Sequence, residues 1–252
     1  MPTKAKEPKS VGKAEPALTN LDKVYWPDKG YTKGDLIAYY REIAPFILPY
    51  LRDRPVSLHR HPNGIEAKSF FQKDVSRNPP PSWVETVAIP SESTGRTGQY
   101  VVCQDEPTLL YLANLGCIEM NPWNARVGSL DQPDYLVIDL DPVDVPFARA
   151  VEAAQVVRRV LERAGVDAVC KTSGKRGLHV FVPLAARYSH DEARQFAEVV
   201  AQLVHAALPG TTSLVRDPRQ RKGRVYLDYL QNRRGQTLVA PYSLRPVPGA
   251  TV

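Results

Sequence analysis

Asp139 and Asp141 close an apolar run, Tyr135-Leu136-Val137-Ile138-Asp139-Leu140-Asp141-Pro142, in a way that suits cation chemistry. The run reads as a buried strand between Pro133 and Pro142. Strand side chains alternate faces, so residues two apart emerge side by side. Neighbouring carboxylates repel unless a cation or a shared proton intervenes. Hard oxygen ligands suit Mg²⁺ or Mn²⁺, and paired ions of this kind serve phosphoryl and nucleotidyl transfer. The plainer alternative is a strand that exits into a polar turn.

A second apolar run, Arg224 to Leu230, carries one acid, Asp228. An isolated buried charge is costly, so this carboxylate needs a partner. It either joins Asp139 and Asp141 as a third metal ligand or pairs with Arg221 or Arg224. Between the acids, Thr172-Ser173-Gly174-Lys175-Arg176-Gly177 links two short strand candidates, Ala168 to Lys171 and Leu178 to Pro183. Glycines let backbone N–H groups turn towards an anion, and Lys175 and Arg176 add charge-assisted bonds to phosphate oxygens. His179 begins the next strand, where it could face the same anion. The G-x-x-x-x-G-K-[ST] spacing of a Walker loop is absent, and a solvated basic hairpin has the same composition. Acid pair, basic turn with histidine and third acid together suggest one site for a nucleoside triphosphate.

The elements that must hold these residues are helices and strands in alternation. Arg149 to Ala164 places Val151, Ala154, Val157, Val160 and Leu161 on one face, with Gly165 as a stop. Ser189 and Glu192 form a candidate capping box for a helix reaching Leu208. A further helical segment spans 33–43, with Lys33 at its start, where exposed N–H groups would favour phosphate. The pattern predicts an α+β fold with a sheet packed by helices on one face. The 252 residues suffice for a substantial core, and the formal charge of +6 suits a polyanionic partner. Residues 1–17, rich in lysine and proline, read as a disordered basic tail. Residues 18–130 read as an N-terminal lobe and 131–252 as a catalytic lobe. The three cysteines show no C-x-x-C spacing and read as small buried thiols in a reducing cytosol. No apolar stretch approaches the ~20 residues of a membrane span, and the expected location is the cytoplasm.

The strings DYLVIDLDP (134–142), KTSGKRGLHVFVPL (171–184) and VYLDYLQNRRGQTLVAPYSLR (225–245) resemble the polymerase domain of bacterial ATP-dependent DNA ligase D. That domain belongs to the archaeo-eukaryotic primase superfamily. The resemblance extends through LTNLDKVYWPDKGYTKGDLIAYY (18–40), RPVSLHRHPNGIEAKSFFQK (54–73) and LLYLANLGCIEMNPW (109–123). It implies a primase-type core with an RNA-recognition-like sheet and an N-terminal lobe. It also implies a template-dependent nucleotidyltransferase that fills gaps at DNA ends in non-homologous end joining, preferring ribonucleotides, with Mn²⁺ or Mg²⁺ in a two-ion site and nucleoside triphosphates as substrates.

By the same resemblance, Asp139, Asp141 and Asp228 match metal-binding acids. Ser173, Lys175, Arg176, His179, Arg221, Gln231, Arg245 and Asn121 match the nucleotide site. Asn20, Lys23 and Lys33 match a pocket for the 5′-phosphate across a gap, while Arg60, Phe70, Phe71 and Lys73 match a template-contacting edge. Base stacking on such aromatics is worth roughly 1–3 kcal/mol per base. Strand alternation would turn one phenylalanine of an adjacent pair inward. Two positions depart from the family pattern. Asn121 stands where many relatives have histidine, and Arg176 stands where lysine is usual, with Lys175 one place earlier. Relatives continue past the arginine at 245 with a further helical segment, whereas this sequence stops at Val252. No K-x-D-G ligase motif is present, so joining would fall to a separate ATP-dependent ligase, with a Ku-type protein as a further partner. The competing readings are a de novo primase and a non-catalytic DNA-end-binding module.

Overall fold

The computed structural model describes residues 16–90, 95–221 and 223–252. The expected disordered tail, 1–17, lies outside the described residues apart from its last two.

A short hairpin, β1 (Val24–Trp26) and β2 (Tyr31–Thr32), leads into α1 (Lys33–Leu51). Thr32 caps α1 by a reciprocal box with Asp35. The helix runs well beyond the expected 33–43, through Pro45 and Pro49. Both prolines sit on its exposed face, where water can serve the carbonyls that their missing N–H groups release.

Five strands follow with one helix among them: β3 (Pro55–Arg60), β4 (Phe70–Gln72), β5 (Thr86–Pro90), β6 (Thr97–Val102), α2 (Glu106–Asn114) and β7 (Cys117–Pro122). They form a sheet ordered β4-β3-β6-β5, with β7 also paired to β3. The core of this half gathers Tyr25, Trp26, Tyr40, Leu58, Leu109 and Met120, and takes Ala240 and Leu244 from the far end of the chain.

The second half holds β8 (Tyr135–Val143), α3 (Phe147–Arg163), β9 (Val169–Thr172), β10 (Leu178–Pro183), α4 (His190–Ala207), β11 (Thr212–Ser213) and β12 (Arg224–Asp228). Its sheet is ordered β11-β12-β8-β10-β9. Leu136, Ile138 and Leu140 of β8, Val180 of β10 and Leu227 of β12 pack on α3 and α4. This is the α+β sheet with helices on one face that the sequence predicts. Ser189 and Glu192 form the expected capping box of α4, and Gly165 takes φ +67° just past α3. The buried face of α3 is Ala150, Ala153, Val156, Val157 and Leu161, about one position off the predicted stripe.

Two local expectations are corrected. β8 does not end before Pro142 but runs through it, with Pro142 opposite Val225. β10 pairs with β8 only as far as Leu140, so the missing N–H of Pro142 leaves no ladder bond unmade. Cys103 and Cys117 are buried, but Cys170 is exposed, because β9 is the edge of its sheet.

Candidate active site

The face of β8 turned away from the helices carries the acids. Register places Asp228 of β12 opposite Asp139, and His179 of β10 opposite Asp139 on its other side. Lys171 of β9 lies opposite His179. A row Lys171–His179–Asp139–Asp228 therefore crosses four strands. Asp141, two residues on from Asp139, stands opposite Tyr226. Alternation alone accounts for this: the apolar positions face the helices, so the polar ones must face outward.

The electrostatics are those of a site short of positive charge at its centre. Asp139 is 6% exposed. Burial, then the charges of Asp141 and Asp228, raise its carboxyl well above the usual range. One of its oxygens, Oδ1, is buried without a hydrogen-bond donor. Asp141 is raised by burial against the pull of Arg221, Arg176, Arg245 and Lys175. Burial also raises Asp228, which accepts from Leu230 N (2.9 Å) and from the Tyr226 hydroxyl (3.4 Å). Asp228 thus makes no ion pair with Arg221 or Arg224 among the described residues. Burial, with Lys171 and Arg245 nearby, pushes His179 down to about 3, so its imidazole is neutral. Its Nε2 lies 3.6 Å from Asp139 Oδ1.

The basic turn is built tightly against this row. The Ser173 N–H donates to Gly177 O, while Ser173 Oγ accepts from the N–H groups of Lys175 (3.2 Å) and Gly177 (2.9 Å). Ser173 is 6% exposed, and in this form its hydroxyl serves the turn. A side chain at Gly177 would collide with the Leu140 carbonyl of β8. Gly174 takes φ +74°, and a Cβ there would come within 2.7 Å of the Arg245 side chain. Arg221 lays its guanidinium 3.9 Å over the Tyr226 ring, and its Nε and one Nη are buried without acceptors. Asn121, in β7, is buried, donating to Glu119 O at 3.3 Å. Gln231 is half-buried just beyond β12. Its neighbour Asn232 braces β8 instead, its amide accepting from Val137 N and donating to Val137 O, both at 2.7 Å.

The residues assigned to DNA lie in the first half. Lys33 is 4% exposed, its Nζ donating to Thr19 O at 2.7 Å. Burial and the nearby Lys23 lower its pKa. The expectation of free N–H groups at the start of α1 is overturned. Lys33 N donates to Lys23 O and Gly34 N to Leu21 O, each at 2.8 Å, and Asp35 N donates to Thr32 Oγ1. Lys23 Nζ meets Asn63 Oδ1 at 2.8 Å, and Asn20 turns the chain at φ +54°. Neither phenylalanine of the pair faces a core: Phe70 is 44% and Phe71 59% exposed, because β4 is a short edge strand. Arg60 covers Phe70 at 5.3 Å, and His59 stacks on Phe71 with centroids 4.1 Å apart. Lys73 is exposed beside them.

Reading the sequence missed two site residues. Glu119 of β7 is a buried acid inside an apolar run, the same signal that marked Asp228. Lys171 ends a strand candidate and completes the row, pushed down to about 8 by burial and by Arg245.

Asp139 and Asp228 in the cross-strand row, with Asp141 beside them, thus share the face of the sheet turned away from the helices with His179 and Lys171. The comparisons agree with the motif resemblance. Residues 32–252 match the family described as LigD, primase-polymerase domain. The polymerase domain of Mycobacterium tuberculosis ligase D, solved in complex with DNA, is similar with a TM-score of 0.86 and 33% identity, over 94% of this chain and 85% of that one. The chain belongs to the LigD primase-polymerase domain family. It is 37% identical over 222 residues to the multifunctional non-homologous end joining protein LigD of Pseudomonas aeruginosa, covering 88% of this chain and 26% of that protein. It is 34% identical to the bifunctional LigD of Bacillus subtilis, covering 90% of this chain and 36% of that protein. The chain therefore spans about a quarter to a third of the length of these relatives.

Proposed function

We propose that this chain is a template-dependent nucleotidyltransferase that extends primers across short gaps at DNA ends in non-homologous end joining. Family membership supports nucleotidyl transfer. The observation that carries the reading in this chain is the convergence of Asp139, Asp141 and Asp228 on the sheet face turned away from the helices, bordered by Lys171, Arg221 and Arg245.

No group of three or more His, Cys, Asp or Glu among the described residues is arranged as a ready-made metal cluster. The donor set nevertheless fits a hard divalent cation. It offers carboxylate oxygens, one of them buried without a donor, whose mutual repulsion a cation would relieve. Asp139, Asp141 and Asp228 would hold it. Bound there, Mn²⁺ or Mg²⁺ would lower the pKa of a primer 3′-hydroxyl and neutralise the departing pyrophosphate.

The chain's own residues do the rest. Arg176, Lys175 and Arg221 bind the triphosphate, and the tight turn at Gly177 fixes where Lys175 and Arg176 start. Neutral His179 donates its one N–H to a phosphate oxygen without adding charge beside Asp139. Phe70 and Phe71 offer stacking surface to template bases, and exposed Lys23, with buried Lys33 behind it on Thr19 O, offers charge to a 5′-phosphate. A preference for ribonucleotides, recruitment by a Ku-type protein and joining by an ATP-dependent ligase activity complete the proposal.

The test is primer extension on a gapped duplex with a downstream 5′-phosphate, comparing ribo- and deoxynucleotides with Mn²⁺ and Mg²⁺. Extension by the wild type that is lost in Asp139→Ala, with DNA affinity retained, is expected. Phosphate-dependent binding without extension would overturn the enzyme reading in favour of an end-binding module. Dinucleotide synthesis on unprimed single strands would point to a primase.

A further inference from the structure

Glu119 belongs to neither the acid row nor the exposed aromatic edge, yet it joins the two. It is 4% exposed in β7. Three groups from three separate segments close on its carboxylate: His59 Nδ1 hydrogen-bonded at 2.7 Å, and Arg245 Nε at 3.1 Å and Lys175 Nζ at 3.3 Å as ion pairs outside hydrogen-bond geometry. Burial alone would raise its pKa, but these partners outweigh burial and hold it at about 2. Beyond it on one side, the His59 ring lies 8° from parallel to exposed Phe71. On the other side, Lys175 belongs to the basic turn, and Arg245 acts on both Asp139 and Asp141.

We infer that Glu119 is a positioning residue that anchors Lys175 and Arg245 beside the acid row and, through His59, ties them to the Phe71 face. The inference rests on the polymerase reading and deepens it. Lys175 and Arg245 repel each other and belong to segments far apart in sequence, so a shared buried carboxylate is what holds both cations in one place. Pre-placed cations bind a triphosphate without losing side-chain freedom at the moment of binding. A counter-effect exists, because a carboxylate also dilutes the positive potential that attracts an anion. Lys171, Arg176 and Arg221 supply that potential in any case, so the loss of placement outweighs the gain in net charge.

The experiment is steady-state gap filling by wild type, Glu119→Gln, Lys175→Met and the double variant, together with gapped-DNA affinity. Glutamine can still accept from His59, so the Phe71 face stays in place. The expected result is a KM for nucleoside triphosphate raised roughly tenfold or more, a gapped-DNA Kd within about twofold, and a smaller effect of Lys175→Met in the Glu119→Gln background than in wild type. An unchanged or lowered KM, or effects that simply multiply, would overturn the inference while leaving the polymerase reading intact. A wild type that never extends primers would overturn the polymerase reading itself. Should Glu119→Gln fail to fold, Glu119→Asp, which draws the carboxylate back by one methylene, is judged by the same KM criterion.

Discussion

Replacing Asp139 by asparagine should make the metal-free protein more stable while removing nucleotide transfer. Asp139 is buried at 6% exposure, faces Asp228 across the ladder and shares its face with Asp141. Directly opposed side chains in an antiparallel pair lie about 5 Å apart. At an effective dielectric of about 20, two like charges at that distance repel by about 3 kcal/mol. Attraction from Arg245 and Lys171 cancels part of this. A net gain of about 1–2 kcal/mol remains, which for a chain of this size raises Tm by about 2–8 °C. The pH dependence has a definite sign. Burial and the neighbouring acids raise Asp139 above the ordinary 3.8. Between that value and the raised one, the folded protein keeps a proton that the unfolded chain has released. Its contribution to stability therefore falls as pH rises through that window, and Asp139→Asn lacks this fall. The assay is thermal and denaturant unfolding in chelator at neutral pH, repeated with Mn²⁺. Wild type should gain stability from the ion and the variant should gain little. A variant less stable than wild type in chelator would refute the repulsion argument, and equal stabilisation of both by Mn²⁺ would remove Asp139 from the cation site.

Asn232→Ala strips two hydrogen bonds from the buried backbone of Val137. Leaving that N–H and C=O unpaired should cost about 2–4 kcal/mol, read as a lower denaturant midpoint with unchanged slope; a loss below about 0.5 kcal/mol would show that water or a neighbour takes over. Gly177→Ala sets a methyl group against the Leu140 carbonyl, which must displace the turn at a cost of about 1–3 kcal/mol. Triphosphate KM should rise with DNA affinity unchanged, and normal KM would show that the turn's position is not needed. His61 is held at about 4 by burial and by neighbouring His59. The unfolded chain takes up a proton there below about 6.5 while the folded protein does not until about 4, so stability should fall as pH drops through that interval. His61→Gln should flatten the fall, and an equally steep fall in the variant would assign it elsewhere.

The acid row was legible because strand alternation is local information. Asp139, Asp141, Asp228 and His179 each break an apolar run, and period two assigns them all to the face opposite Leu136, Ile138 and Leu140. The helix cap at Ser189 is local as well; the box of Thr32 with Asp35 is equally local, and the expectation of free N–H groups there overlooks it. What else escaped was set by contacts distant in sequence. Asn232 bonds to a residue 95 positions away, and Lys175 and Arg245 reach Glu119 from outside its strand. Whether a proline ends a helix depends on which face meets water, as Pro45 and Pro49 show. Whether one of two adjacent phenylalanines turns inward depends on the strand having a covered face, which β4 lacks.

These distant contacts explain how β8 tolerates its own sequence. A strand with two neighbouring carboxylates facing a third has a repulsive face, which Arg245 and Lys171 offset only in part. The opposite face must hold it, through Leu136, Ile138 and Leu140 packed under α3 and α4. Asn232 adds two bonds at Val137, two residues before Asp139, where the row begins. Glu119 then does the inverse for the cations, giving Lys175 and Arg245 a counter-charge that is not one of the row's own acids. Because the two cations answer to Glu119, they need not collapse onto Asp139 and Asp141. Under the proposed nucleotidyl transfer, the acids would thereby be left free for a metal, and the two signs of charge would stay apart until a triphosphate binds.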